Sequence, residues 1–187
     1  GKMLAPGQQG APHVGTFATK DTAAINGYLK RADIKALLPA NLANIRFAWG
    51  KTNAKTPDVT DLYALKGTRD NVAPLSGGVI VDARDTFDQL GKPAVSMQMN
   101  GNGARKWEQI TGAVSQQGNA IAIVLDNIVY SAPGVSKGAI TGGQSEISGN
   151  FTIEETKDLA NILRAGKLPA AAEIVQSEVV GPSLGQE

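Results

Sequence analysis

The sequence ISGNFTIEETKDLANILRAGKLPA, from Ile147 to Ala170, specifies a helix with both ends marked. Thr152 and Glu155 have the spacing of a capping box, in which each side chain accepts a hydrogen bond from the other residue's backbone N–H. At the far end, Arg164 suits the negative end of the helix dipole and Pro169 cannot continue the helix. The apolar residues at helical spacing share one face: Leu159, Ile162 and Leu163. The pattern predicts a packing element with a solvated polar face and no catalytic role.

The composition of the 187 residues is typical of a folded chain, with 42% hydrophobic residues. The 18 basic and 17 acidic residues are interspersed and nearly cancel, which argues against a nucleic-acid partner. Cysteine is absent, which excludes thiol nucleophiles, zinc-thiolate sites and disulfides. The longest apolar run, Ala120–Leu125, is far shorter than the roughly 20 residues of a membrane-spanning helix.

The N-terminal third begins with a segment that has no periodicity. Residues 1–13 are rich in Gly, Pro, Gln and Ala and predict a flexible lead-in. A helix is predicted from Lys20, with a short continuation that ends at Pro39. Two strands follow, NIRFAW at 44–49 and TDLYALK at 60–66, and alternation in the first directs three side chains inward. Those three are Ile45, Phe47 and Trp49.

The rest of the chain mixes strands and helices without strict alternation, which predicts an α+β fold. A helix is predicted from about Gly103 to Ser115, with Asn102 as its cap. In the hairpin AIAIVLDNIVYSAP at 120–133, Asp126 and Asn127 tolerate the positive φ of a tight turn. The other predicted strands are Val79–Val81, Ala94–Met99, Gln144–Ser148 and a final strand within AAAEIVQSEVV at 170–180.

Two patterns suggest catalysis, and both have a simpler interpretation. Gly181-Pro-Ser183-Leu-Gly185 matches a nucleophile elbow, but no helix follows it to support the turn, and the sole histidine, His13, lies in the lead-in. Asp82, Asp85 and Asp88 could form an acidic cluster, although a solvated turn explains them better. No phosphate-binding loop is present, so we predict no metal and no cofactor.

Several segments resemble the SecD family of protein-export membrane proteins. The similarity runs through GKPAVSMQMNGNGARKWEQIT (91–111), AIVLDNIVYSAPGV (122–135), ITGGQSEISGNFTIEETKDLANILRAGKLPA (140–170) and EIVQSEVVGPSLGQ (173–186). It covers roughly residues 75–187, and residues 14–50 resemble the longer head region of SecD-SecF fusions. The family places VGPSLG directly before a transmembrane helix, so the resemblance implies that Ser183 is a junction residue.

The resemblance implies an α+β fold in two parts. Residues 14–140 would form a periplasmic head subdomain, a mixed or antiparallel sheet with helices on one side. Residues 141–187 would form the second half of a ferredoxin-like base subdomain near the membrane. The first half of the base and the family's membrane Asp and Arg residues lie outside this sequence. The chain would therefore be a piece of a longer protein.

The function implied is non-enzymatic assistance of proton-motive-force-driven export across the bacterial inner membrane. Its partners would be unfolded preprotein, SecF and the SecYEG channel, with membrane contact only through helices outside this sequence. On chemistry, the candidate substrate contacts are Phe47, Trp49, Met97, Met99 and Trp107. The candidate hinge residues are Gly138, Gly142, Gly143 and Gly149.

Two other functions stay open from the sequence. One is a secreted serine hydrolase that uses Ser183. The other is a ligand-binding adaptor domain of a different envelope transporter. A hydrolase would lose its activity on substitution of Ser183, and an adaptor would bind a defined ligand saturably.

Overall fold

A computed structural model describes residues 3–7, 12–37, 44–53, 55–66, 75–135, 138–149, 151–165 and 173–177. The strands are β1 Met3–Pro6, β2 Gly15–Ala18, β3 Ile45–Gly50, β4 Val59–Lys66, β5 Leu75–Ser76, β6 Ile80–Phe87, β7 Pro93–Met99, β8 Ala120–Leu125, β9 Ile128–Ser131, β10 Gln144–Ser148 and β11 Glu173–Ser177. The helices are α1 Thr22–Leu29, α2 Ala32–Ala36, α3 Gly101–Gln117 and α4 Ile153–Ala165. These elements confirm the predicted α+β class.

The larger sheet has the strand order β1-β2-β4-β3-β9-β8-β11-β5. An additional pairing of β4 with β11 closes β4, β3, β9, β8 and β11 into a ring. The pairing of β3 with β9 is parallel, whereas β3–β4, β8–β9 and β8–β11 are antiparallel. On one face of these strands a small cluster is buried, formed by Ala48, Leu65, Ala122, Val124 and Val129. Small and β-branched side chains suit this tightly curved arrangement.

The smaller sheet contains three antiparallel strands in the order β10-β7-β6. Helix α4 packs on the face that carries Ala83, Val95, Met97 and Ile147, and buries its own apolar stripe of Leu159, Ala160 and Leu163 there. The Nε and Nη2 atoms of Arg164 donate to the carbonyl of Ala83 at 3.1 and 2.6 Å. The last turn of α4 is thereby fixed to strand β6.

Helix α3 belongs to the same core as α4 but also reaches the larger sheet. Its buried side chains Trp107 and Val114 join a cluster with Ile121 and Ile123 of β8 and with Met99 of β7. Asn100 caps α3, because its side-chain oxygen accepts from the N–H of Gly103 at 2.8 Å. The prediction that Asn102 is the cap is therefore wrong by two residues, since the helix already begins at Gly101.

Helix α4 begins with the predicted capping box. The N–H of Thr152 donates to Glu155 Oε2 at 2.8 Å, and the N–H of Glu155 donates to Thr152 Oγ1 at 3.2 Å. The predicted C-terminal marks beyond Arg164 lie outside the described residues. The predicted hairpin turn between β8 and β9 is also confirmed, with φ of 48° at Asp126 and 62° at Asn127.

Two local predictions are wrong. Within the lead-in, Met3–Pro6 forms β1 and pairs with β2, because edge pairing uses backbone groups that composition does not reveal. Asp82 and Asp85 lie in strand β6 rather than in a turn, on a sheet edge where polar side chains stay in solvent. Only Asp88 is in the turn, where its carboxylate accepts from the N–H groups of Leu90 and Lys92.

The predicted strand, helix and strand of the base occur in the expected order but not in one sheet. Strand β10 pairs with β7, and β11 pairs with β8, β5 and β4. Strands β10 and β11 therefore belong to different sheets, and each pairs with strands of the proposed head. The subdomain boundary at residue 140 stays a prediction, and the contacts of β10 and α4 with β6 and β7 cross it.

We predict that Thr152→Ala lowers the free energy of unfolding by about 1 kcal/mol, because the substitution leaves the N–H of Glu155 in the first turn of α4 without its side-chain acceptor. Urea denaturation measures this change. Lys157→Ala, on the exposed face of the same helix, serves as the control and should stay close to the parent. A Thr152→Ala protein as stable as the parent would contradict a stabilising capping box.

Tyr63 in β4 generates a prediction about alkaline pH. Burial, with a smaller effect of the Asp61 charge, raises the pKa of Tyr63 from 10.0 to about 12. The unfolded chain then loses the phenol proton at lower pH than the folded chain, so stability falls as the pH rises from 10 to 12. We expect Tyr63→Phe to lose less stability than the parent over this interval, as measured by urea denaturation at each pH. The opposite order would contradict the raised pKa.

Candidate functional site

A strip of half-buried aromatic residues crosses one face of the larger sheet. Phe17 pairs with Thr60, and Trp49 pairs with Leu62 two residues further along β4, so both aromatic side chains lie on the same face. Their ring centroids are 5.7 Å apart and the rings are perpendicular. Phe47 lies two residues before Trp49 on β3 and shares that face. We call Phe17, Phe47 and Trp49 the aromatic strip.

The prediction that Ile45, Phe47 and Trp49 point into the core is wrong. All three are half-buried, whereas Ala48 between them is buried in the cluster of the ring. The predicted alternation is present, but the face with the larger side chains is the less covered one. Strand β3 has apolar residues on both faces, so the pattern alone could not determine which face is inner.

Helix α1 lies against one end of the aromatic strip. Trp49 Nε1 donates to Asn26 Oδ1 at 2.9 Å, and Ile25 is the buried residue of this helix. The N-cap residue Asp21 makes no side-chain capping bond, and Gly27 lies in the middle of the helix. An eight-residue helix with these features has little stability of its own, so its position depends on its contacts with the sheet.

The strip continues towards β9 along the same sheet face. Ile128 pairs in parallel with Trp49 and is 41% exposed. Lys51, just after β3, places its Nζ 5.0 Å from the ring centroid of Tyr130. The surface therefore combines aromatic and aliphatic side chains with a cation at its margin. Such a surface can hold apolar side chains of an extended peptide without requiring a fixed sequence.

The five predicted substrate contacts do not lie together. Met97 and Met99 on β7 and Trp107 on α3 are buried in the core shared by both sheets. Only Phe47 and Trp49 lie in the aromatic strip. The chemistry of Met and Trp suits both a core and an adaptable surface, so residue type did not separate the two. A substrate role for any of the five stays a prediction.

The predicted hinge glycines occupy the segment between β9 and α4. Gly138, Gly142 and Gly143 have φ of 80°, 80° and 72°, which other residues rarely adopt, and positive φ is not found at Gly149. The N–H of Gly138 donates to Ser115 Oγ at 3.0 Å, and the carbonyl of Gly143 accepts from the N–H of Met99 at 2.8 Å. The segment is thus attached to α3 and to the end of β7. Hinge movement stays a prediction.

The catalytic alternative receives no support from the residues around it. Ser183 lies outside the described residues, and the ring centroid of His13 is 6.1 Å from that of Tyr63. Asp82 Oδ2 accepts from Arg84 Nε at 2.7 Å, and Asp88 is used by its own turn. Among the described residues no group of three or more His, Cys, Asp or Glu side chains could hold a metal ion.

Sequence reasoning missed two residues, Phe17 and Asn26, and the contact that Arg164 makes with β6. Phe17 belongs to a run before the first helix that has no recognisable pattern, yet it packs on Trp49. Asn26 fastens α1 to the strip, and Arg164 fastens α4 to β6. Each interaction joins residues that are distant in sequence, and no local pattern encodes such a pairing.

Comparison with known proteins shows what the chain is similar to. The family profile described as SecDF, P1 head subdomain, matches residues 61–170. Protein translocase subunit SecD of Rhodothermus marinus is 44% identical over 177 residues, which are 92% of this chain and 27% of that protein. Protein translocase subunit SecDF of Thermus thermophilus is 43% identical over 113 residues, covering 60% of this chain and 15% of that protein.

A solved structure is also similar. The crystal structure of SecDF in a super-membrane-facing form has a TM-score of 0.47 and 32% identity, over 82% of this chain and 23% of that one. The chain thus spans about a quarter of the length of the SecD and SecDF proteins with which it aligns over most of its residues.

Proposed function

The chain belongs to the SecD/SecDF family through its P1 head subdomain, and on this premise we propose that it holds unfolded preprotein during export. Membership confirms the resemblance found in the sequence. The related proteins are translocase subunits rather than enzymes, which agrees with the predicted non-enzymatic role. We infer that this part of the subunit contacts the exported chain directly.

The observation that supports the proposal is the half-exposed aromatic strip. An unfolded chain offers apolar side chains of every kind, so the surface that holds it must be apolar and tolerant of sequence. Large aromatic side chains provide contact area at low conformational cost. Because the strip is only partly open, contacts stay weak enough for the chain to be released as transport proceeds.

The partners and location belong to the proposal as well. We place this part of the chain on the extracytoplasmic side of the bacterial inner membrane, next to SecF and the SecYEG channel, in a process driven by the proton motive force. Among the described helices none is long and apolar enough to cross a membrane.

We also propose a movement of the head relative to the base that keeps the observed strand pairings. The division into 14–140 and 141–187 would require β10 to separate from β7, which costs a full strand pairing. A rotation about Gly138, Gly142 and Gly143 that keeps β10 and α4 with the smaller sheet would break no strand pairing of β10. We therefore propose these glycines as the joint between the two sheets, for small adjustments that keep the core around Trp107 and Val114 intact.

Binding of unfolded polypeptide tests the function directly. We expect a reduced, unfolded secretory protein to bind weakly in calorimetric titrations and the same protein in its folded form not to bind. Phe47→Ala should weaken binding about fivefold, since a half-buried aromatic contact contributes roughly 1 kcal/mol. Phe87→Ala is the matched control, because Phe87 is a 59% exposed aromatic residue at the tip of the smaller sheet. Equal losses in both variants would contradict a role specific to the strip.

The contact between α1 and Trp49 gives a second prediction. Asn26→Ala removes the acceptor of Trp49 Nε1, so we expect stronger quenching of Trp49 fluorescence by acrylamide and a several-fold increase in affinity for the unfolded protein. Gly27→Ala should act in the opposite direction, because an added Cβ meets no atom within 4 Å and alanine favours the helix by about 1 kcal/mol. A lower affinity in Asn26→Ala would mean that α1 is part of the binding surface rather than its cover.

A further inference from the structure

A small cavity lies where the two sheets meet, between α3, β8, the segment after β9 and β10. Its volume is about 40 Å³. The side chains that line it are mostly aliphatic, from Ile121, Ile123, Val135, Ile140 and Ile147, together with Trp107, Ser145 and Pro133, and the exposed residues Gly134 and Glu146 lie where it opens to solvent. It belongs neither to the aromatic strip nor to any surface used in the proposed function.

The indole N–H of Trp107, whose side chain lines the cavity, needs a hydrogen-bond acceptor. Trp107 is 4% exposed, and its Nε1 is buried without a hydrogen-bond partner in the part of the chain that the structure describes. The chain's other tryptophan differs, because Trp49 Nε1 donates to Asn26. A buried N–H without an acceptor is costly, and native proteins almost always satisfy one with protein or with ordered water.

The nearest hydroxyl on the same helix is already used. Thr111 Oγ1 donates to the carbonyl of Trp107 at 2.7 Å and accepts from the N–H of Ile140 at 2.8 Å. Ser115 Oγ accepts from the N–H of Gly138. These bonds attach the segment after β9 to α3 and leave Ser145 as the cavity's own side-chain hydroxyl.

The size and polarity of the cavity indicate which ligand it can bind. One water needs about 10–15 Å³ of such volume, so 40 Å³ holds about three waters but no large peptide side chain. Purely apolar cavities stay dry, whereas a cavity with a free donor and a hydroxyl binds water. We propose that this cavity is a water-binding site in which a buried water accepts from Trp107 Nε1 and bonds the hydroxyl of Ser145.

The site has a structural consequence for the joint between the sheets. Trp107 belongs to α3, Ser145 belongs to β10 of the smaller sheet, and Ile121 and Ile123 belong to β8 of the larger sheet. A water held there connects α3 to β10 through hydrogen bonds that can be remade with little change in geometry. It satisfies the indole without fixing the two elements as rigidly as a direct bond would.

Water contacts of the indole protons test this inference on the intact chain. In spectra of the ¹⁵N-labelled protein, we expect the Trp107 indole proton to show a nuclear Overhauser cross peak to water with the sign of a long-lived bound molecule. The Trp49→Phe variant assigns the two indole signals. Absence of a water cross peak at the Trp107 indole proton would overturn the proposal.

The second partner is tested with a matched pair of serines on β10. Ser145→Ala should remove or strongly weaken the water cross peak of Trp107, while Ser148→Ala, on the exposed face of the same strand, should leave it unchanged. A cross peak that is unaffected by Ser145→Ala would overturn the assignment of Ser145. Because the main measurement uses the parent protein, poor folding of either variant does not affect it.

Discussion

Burial of one face of α3 is the interaction on which the arrangement of the two sheets depends. Trp107 and Val114 pack on β8 of the larger sheet, and Trp107 also meets the core that Met99 and Ile147 provide from the smaller one. The smaller sheet could not bury its apolar face alone, since it has only three strands and needs helical cover. Helix α4 provides further cover for the smaller sheet and buries side chains in the same core. Arg164 attaches the last turn of α4 to β6. A single hydrophobic core therefore extends across segments that a linear division of the sequence would separate.

The parts of this fold that could be predicted are those with local signals. The capping box fixes the start of α4, and Asp126-Asn127 fixes a hairpin turn because both residues accept positive φ. Strand pairing has no such local signal. Nothing within residues 173–177 indicates that β11 pairs with β8 rather than with β10, and nothing in Met3–Pro6 indicates an edge strand. Side-chain contacts such as that of Phe17 with Trp49 depend on these pairings. The sequence could therefore predict only the two members of the aromatic strip that lie on β3.

The distribution of aromatic and sulfur-containing side chains explains why the candidate site was only partly predicted. Met97, Met99 and Trp107 have the chemistry of an adaptable binding surface, yet all three are buried in the core that spans both sheets. Phe47 and Trp49 stay half-exposed on β3, whereas α3 covers the larger sheet further along, where Trp107 and Val114 form a cluster with Ile121 and Ile123 of β8. What remains open to solvent on this face is thus set by which helix covers which strand. The exposure of this face is a property of the topology, and it cannot be predicted from composition.

A domain that holds an unfolded chain and then releases it must combine a firm core with surfaces of low stability. The contacts of this protein divide in the same way. Helices α3 and α4 each bury several side chains in one core, whereas α1 buries Ile25 and is bonded to Trp49 through Asn26. If the strip binds preprotein as we propose, weak attachment at α1 would let an extended chain compete for the strip at small cost, because only that helix would have to move. The strand pairings and the core would keep the strip's strands in register meanwhile, so in the proposed function binding and release could alternate without disturbing the core.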